Sequence, residues 1–347
     1  MGTVREKARR SAPRLIVGTV LATLLTLTTA GAALGGPSGG DGSGTGAAVA
    51  ARTDAYIRDV AGDVGTEPHN LNPIWQSPDI KVCPTAIECA TSQNPIVGVT
   101  NYVFVKLNNP GPYGSGVSTG TLELYRTTPG GGASWPIHWT LIGAVATSSF
   151  AGVTTVTIPW NGVPGPGHFC LLARWVSPTD PMTSEGPSHS TNTRNNNNIA
   201  WRNVDSVNPA PGTPEVRPFA IGNETDVPTR NDIVFAQRGE PFQNAGGRIV
   251  ADLGPVLFQR WVQAGRPGTG IREVGRTQVE IVAPNAKISD LLLNPGERPE
   301  FSLIFSTQTV SSRQFVVDVV QFGPAKAGGE KTDVGGVQYL IRTAQRG

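Results

Sequence analysis

The sequence has few charged side chains and few of the patterns that accompany catalysis. Only 16% of its 347 residues are Asp, Glu, Lys or Arg, which is too few for long solvated helices and excludes a helical bundle or coiled coil. The four histidines include no pair in H-x-x-x-H spacing, which excludes a zinc-peptidase helix. Two G-x-S-x-G patterns, Gly36–Gly40 and Gly116–Gly120, lack the strand-to-helix turn that a nucleophilic serine requires. We therefore predict that the protein is not an enzyme.

Positive charge is concentrated at the start of the chain. The net charge is +2, but the first 14 residues alone carry five basic side chains against one acidic side chain. The remainder is slightly acidic, so it offers no electrostatic attraction for a phosphate backbone. This balance predicts that nucleic acid is not a partner.

An export signal is the clearest local pattern. Basic residues end at Arg14, an apolar run follows from Leu15, and Ala30-Gly31-Ala32 fits a small-residue cleavage site. Residues 1–32 are therefore predicted to be a signal peptide. The alternative is an uncleaved membrane anchor to about Leu34, because 20 residues just span a bilayer. We expect an extracellular or cell-envelope location in a bacterium, with membrane contact only through this segment if it is not cleaved.

Glycine and proline, with 43 and 29 residues, punctuate a series of short alternating segments such as Thr121–Arg126. Strands that follow one another without helical inserts favour antiparallel sandwiches over βαβ units. Residues 33–51, rich in Gly and Ser, predict a flexible tether. After it we predict an all-β fold of two immunoglobulin-like antiparallel β-sandwich domains, at residues 52–205 and 206–347.

The first of these segments carries an ordered set of motifs, namely Leu107–Gly111, Leu122–Tyr125, Gly143–Val145, Trp160–Gly167 and Asn195–Asn198. In this order they resemble the bacterial CARDB-type immunoglobulin-like module, over about residues 56–204. The resemblance implies a seven-stranded sandwich and an adhesion or accessory role, with no catalytic residues to carry over. The cysteine loop and the insert 135–139 depart from the family's pattern.

The three cysteines fit an exported protein. Cys83 and Cys89 enclose a five-residue loop that a disulfide can close outside the cell, whereas a metal site needs more ligands than two thiols. We predict the Cys83–Cys89 disulfide. Cys170 stands in an apolar strand, where a free cysteine behaves as a small apolar side chain.

Acidic residues recur in the first domain at Asp59, Asp63, Glu67 and Asp180. Carboxylate oxygens suit Ca²⁺, and the first and last strands of a sandwich can bring such loops to one end. The spacing matches no known calcium loop, and Asp is also a preferred turn residue. A Ca²⁺ site at these four residues and ordinary turn chemistry therefore stand as two hypotheses, and no other cofactor is predicted.

Six of the seven tryptophans fall in the first domain. Trp135 and Trp139 flank a proline in a loop, so we expect them to be exposed, and exposed tryptophan rings can stack on sugars. Together the patterns predict a non-enzymatic binding, adhesion or accessory protein that recognises an extracytoplasmic protein or polysaccharide. The alternative is a carbohydrate-binding protein that acts beside a secreted hydrolase, with Trp135 and Trp139 as its ligand-binding residues.

Overall fold

In a computed structural model, residues 52–343 are described and form two β-sandwiches. The first sandwich contains seven strands: β1 (Ile80–Cys83), β2 (Asn101–Asn109), β3 (Ser118–Thr127), β4 (Thr140–Ser149), β5 (Gly152–Trp160), β6 (Cys170–Val176) and β7 (Ile199–Arg202). One sheet has the order β1-β2-β5 and the other β4-β3-β6-β7, and all pairs are antiparallel. Alternation builds the core, because Leu122 and Leu124 on β3 point inward and are buried.

A short helix, α1 (His189–Asn195), lies between β6 and β7. It begins at Ser188, whose side chain accepts a hydrogen bond from the Thr191 backbone amide. The chain then leaves the first sandwich after Arg202.

The second sandwich contains eleven strands: β8 (Val204–Val207), β9 (Glu215–Ala220), β10 (Thr229–Arg238), β11 (Gly247–Asp252), β12 (Gly268–Thr269), β13 (Ile271–Glu273), β14 (Gln278–Ile281), β15 (Asn285–Leu293), β16 (Glu300–Thr307), β17 (Gln314–Pro324) and β18 (Lys331–Arg342). Its sheets have the orders β12-β15-β10-β17-β18-β8 and β13-β14-β11-β16-β9. All pairs are antiparallel except β8 with β18. A 3-10 turn (Phe242–Ala245) and the helix α2 (Gly254–Gln263) connect strands and bury Phe242, Leu257 and Trp261. The all-β prediction of two immunoglobulin-like sandwiches is confirmed.

The two sandwiches pack directly against each other. An apolar cluster that includes Trp75, Trp139 and Trp201 of the first sandwich contacts Val320 of the second. The Trp75 indole N–H also donates to the buried Asp333 carboxylate, at 3.2 Å. This shared interface fixes the loops of one sandwich against those of the other.

The structure bears on the predicted disulfide and on the question of a membrane-spanning helix. Cys83 and Cys89 form the predicted disulfide, and Cys170 is free and buried. No helix between residues 52 and 343 is long and apolar enough to cross a membrane. The predicted signal peptide (or anchor) and tether fall on residues 1–51, outside the described residues.

Candidate functional site

A groove of about 910 Å³ lies where loops of the two sandwiches meet. Its walls come from the segment 183–192 at and before α1, the β9–β10 loop at 224–226, and the β17–β18 connection. A second lobe of about 480 Å³ shares Thr191, Ala325 and Thr332 with the first. Large concave sites between packed units are where proteins commonly bind ligands.

Glu224 forms part of the groove wall and is only 7% exposed. Its Oε2 accepts hydrogen bonds from Ser188 Oγ at 2.7 Å and from Ser190 Oγ at 2.9 Å. Its Oε1 is buried and has no hydrogen-bond partner within residues 52–343. Burial raises the pKa of Glu224 to about 7, against the lowering by the hydroxyls of Ser188 and Ser190, the Ser190 backbone amide and the Arg298 charge.

The β9–β10 loop is held by the residue before Glu224. Asn223 Oδ1 accepts from the backbone N–H and the hydroxyl of Thr225, and Asn223 Nδ2 donates to the carbonyls of Val227 and Leu293. Asparagine is favoured in such turns because its short side chain bonds to backbone groups two residues on. The turn therefore fixes Glu224 against α1.

The serines beside Glu224 do not form a nucleophile–base pair with the neighbouring histidine. The ring of His189 packs between Trp139 and Trp201, with centroid distances of 4.7 Å and 4.3 Å. Burial lowers the pKa of His189 to about 3, so its ring is neutral. In the described part of the chain its Nε2 has no hydrogen-bond partner. The arrangement can bind a ligand, but it lacks the serine–histidine contact that activates a nucleophile.

The rim of the groove is mainly acidic. Glu185 is paired with Arg174, at 2.5 Å. Asp226 and Glu330 are exposed and belong to no ion pair among the described residues, Lys326 is the cation on the rim of the larger lobe, and Arg194 lines the smaller lobe. A groove with excess negative charge attracts positively charged ligands.

The structure overturns the expected exposure of Trp139. Its side chain is only 8% exposed and packs on His189 and Trp201. Trp135 is half-buried, with the Arg174 guanidinium 4.8 Å from its ring centroid and the edge of Tyr125 beside it.

The reason for this burial is that the loop carrying Trp135 and Trp139 is covered. The Trp135 backbone N–H donates to the Pro187 carbonyl at 2.9 Å, and Ser134 forms a β-bridge with Ser188. The segment that leads into α1 therefore lies over the loop. The sequence of α1 has no apolar repeat that predicts a helix, so this cover could not be expected from the sequence.

The four residues proposed for Ca²⁺ form no metal-binding group. Asp59 Oδ2 lies 2.8 Å from His69 Nε2, and Asp63 accepts hydrogen bonds from the backbone amides of Asp59 and Gly65. Within residues 52–343, no set of three or more His, Cys, Asp or Glu side chains has an arrangement that could hold a metal ion.

The other two members of that set are also committed to the fold. Glu67 Oε2 accepts from the Asn197 amide at 2.7 Å. Asp180 Oδ2 accepts from the Ala55 amide at 2.8 Å and from Asn198 Nδ2 at 2.9 Å. These carboxylates fasten the start of the domain to its last loop through contacts between distant parts of the chain, whereas Asp63 makes the local turn contact, with the Gly65 amide.

Comparison with known proteins finds weak structural similarity. No protein-family model matches the chain, and no curated protein matches it. Among solved structures, collagen adhesin from Staphylococcus aureus is 11% identical, with a TM-score of 0.22 over 76% of this chain and 92% of that one. The CupB6 tip adhesin from Pseudomonas aeruginosa is 11% identical, with a TM-score of 0.21 over 77% and 99%. Red sea bream transglutaminase is 11% identical, with a TM-score of 0.20 over 77% of this chain but only 31% of its own length.

Proposed function

We propose that this chain is an exported bacterial binding protein, with an adhesion or accessory role at the cell envelope or in the extracellular space. Its binding surface is the groove between the sandwiches. The observation that carries this proposal is the groove itself, about 910 Å³ between loops of both sandwiches, with a second lobe of about 480 Å³ beside it. Proteins commonly bind their ligands in concave sites of this kind.

Binding without catalysis is supported by the state of the side chains around Glu224. Ser188 Oγ is committed both to Glu224 and to the amide of Thr191, so it caps α1. His189 is held neutral in an aromatic cluster. A site built for acyl transfer needs a base oriented on its nucleophile.

Export is supported by one feature of the sequence and one of the structure. The basic, apolar and small-residue order of residues 1–32 is that of a secretory signal. The Cys83–Cys89 disulfide fits an oxidising compartment. The motif order over residues 56–204 supports kinship of the first sandwich with CARDB-type modules.

The carbohydrate-binding alternative has less support. Sugar rings are commonly bound by stacking on an open aromatic face. Trp139 is buried, one face of Trp135 is covered by Arg174, and no aromatic side chain among the described residues lines the larger lobe. These features favour a protein partner.

The test is co-sedimentation of the full chain with purified cell envelopes, before and after protease treatment of the envelopes. Thr332→Trp obstructs the groove where its two lobes meet, because the exposed Thr332 lines both of them. Thr155→Trp is the matched control, on an exposed position of β5. We expect retention by the wild type and the control, loss with Thr332→Trp, and loss after proteolysis of the envelopes.

Three other outcomes contradict parts of the proposal. No retention of the wild type rejects the binding role. Equal retention of Thr332→Trp rejects the groove as the site. Retention that survives proteolysis supports the polysaccharide alternative over a protein partner.

A further inference from the structure

We propose that the protein forms a symmetric dimer in which strand β4 of one copy pairs antiparallel with β4 of a second copy. The four-stranded sheets of the two copies then join into one continuous sheet across a two-fold axis. This inference goes beyond the proposed function, because it assigns a second interaction surface that does not involve the groove. It is carried by the free edge of β4, its lack of charge and the placement of its exposed apolar side chains.

The first step is that β4 has a free edge. It lies at the end of the sheet β4-β3-β6-β7 and pairs only with β3 within the described residues. Its ten residues contain no proline, and the sequence has no Asp, Glu, Lys or Arg between Arg126 and Arg174. A long edge strand without charge or proline presents unpaired backbone groups that another strand can join.

The second step is that the other edge strands in the described part of the chain are protected. Five of them have only two to four residues each, namely β1, β7, β8, β12 and β13. The strand β9 carries Glu215, Arg217 and Pro218, and β5 carries the exposed Pro159. Short length, charge and proline each hinder the pairing of one edge with another. Among these edge strands, β4 lacks all three devices.

The third step concerns the two faces of β4. Leu124 of β3 is buried and lies opposite Gly143 of β4, so Gly143 is on the inner face of the sheet. Alternation then places Ala144 and Ala146 on the outer face and near the edge, and both are exposed. Two neighbouring positions with small side chains leave this part of the edge open to a second strand.

The fourth step identifies the occupant as a second copy. Leu141 lies near the start of β4 and is 52% exposed, and Phe150 directly follows its end and is 59% exposed. The register shift in β4 sets Leu141 opposite Tyr125, which is on the outer face. An antiparallel copy brings its own Phe150 towards Leu141, and the two-fold axis repeats this contact at the other end. Each end of β4 therefore supplies the apolar group that the other end lacks, and no like charges oppose the pairing.

The test is sedimentation velocity of the full chain at increasing concentration. Pairing along one strand buries less surface than the interface of a stable dimer, so we expect a monomer–dimer equilibrium with a Kd on the order of 10 μM. Ala144→Lys combined with Ala146→Lys should raise this Kd more than about tenfold. The reason is that pairing centred near Val145 sets residue 144 of one copy opposite residue 146 of the other, and like charges directly opposite each other repel.

Two further samples separate a lost interface from a lost fold and from a general effect of charge. Ala144→Glu combined with Ala146→Glu should also be monomeric alone, but an equimolar mixture with the lysine variant should form a heterodimer, since opposite charges then face each other. Thr155→Lys combined with Thr157→Lys is the matched control, with the same charges at the same spacing on the edge strand β5. It should dimerise as the wild type does.

A wild type that stays monomeric up to about 100 μM would overturn the inference. A dimer that persists unchanged in the lysine variant would also overturn it, as would a mixture of the lysine and glutamate variants that remains monomeric. Loss of the dimer in the β5 control would reject the assignment to β4, because added charge at another edge would then suffice to separate the copies.

Discussion

Ser188 Oγ lies 2.7 Å from Glu224 Oε2 and so joins the cap of α1 in the first sandwich to the β9–β10 loop of the second. The same hydroxyl accepts from the Thr191 amide at the start of the helix. One side chain thus secures a helix end, a contact between sandwiches and the carboxyl group of the groove.

Ser188→Ala should therefore destabilise the protein more than a simple cap deletion. Loss of a helix cap costs about 1 kcal/mol, and loss of a donor to a buried carboxyl group adds about 1–3 kcal/mol. Ser190→Ala removes a donor to Glu224 but no cap, and should cost less. Urea unfolding of both variants measures the difference. Equal losses in the two variants would show that the cap contributes nothing.

Glu224 should also make stability depend on pH. Its pKa is raised from 4.5 to about 7 in the folded protein, so the folded state holds a proton that the unfolded state has released. The contribution of this group is therefore largest below about pH 4.5 and declines as pH rises to 7. Glu224→Gln does not titrate, so its free energy of unfolding relative to the wild type should increase from pH 4.5 to pH 8, by up to about 3 kcal/mol.

The measurement is denaturant unfolding of both proteins at several pH values in that window. The difference between them isolates Glu224 from the other buried groups that titrate there, including Asp59, Asp180 and Asp333. A difference that is independent of pH would show that Glu224 has an ordinary pKa.

The strands could be predicted from the sequence because their signal is local. Leu122 and Leu124 alternate with polar residues on β3, and this period of two predicts one buried face. The Cys83–Cys89 loop is equally local, since both partners lie on one short segment.

The groove could not be predicted, because its parts are joined only by tertiary contacts. The seven residues of α1, His-Ser-Thr-Asn-Thr-Arg-Asn, have no apolar repeat, so nothing in them predicts a helix. Glu224 stands in Asn-Glu-Thr-Asp, which is typical of an exposed turn. It is buried because the start of α1 packs on it through Ser188, which lies 36 residues earlier in the chain. The expected exposure of Trp139 is wrong for the same reason, because the sequence does not predict the segment that covers it.

The effect of His189 on stability should change with pH in the direction opposite to that of Glu224. Burial between Trp139 and Trp201 lowers its pKa from 6.5 to about 3, so below pH 6.5 the unfolded state binds a proton that the folded state does not. Its contribution is fully present above pH 6.5 and is lost as pH falls towards 3. His189→Phe keeps an aromatic ring in place and removes the titration. The variant should therefore gain stability relative to the wild type as pH falls from 7 to 4, by a few kcal/mol. Tryptophan fluorescence during unfolding reports this, and a constant difference would contradict it.

The contact between the sandwiches should be sensitive to a single methyl group. Gly335 has φ +130°, and a Cβ there would lie 2.6 Å from Trp201 Cη2 in the shared apolar cluster. Gly335→Ala therefore combines an unfavourable backbone conformation with a steric clash that the buried indole cannot relieve by moving. We expect a loss of about 3 kcal/mol in the free energy of unfolding.

Gly62→Ala is the control, because its Cβ would meet nothing within 4 Å and its φ is not positive. Thermal unfolding should show a clear drop for Gly335→Ala and almost none for Gly62→Ala. Equal midpoints would mean that the sandwiches can separate at Gly335 without cost, and the walls of the groove would then not be held in place by this contact.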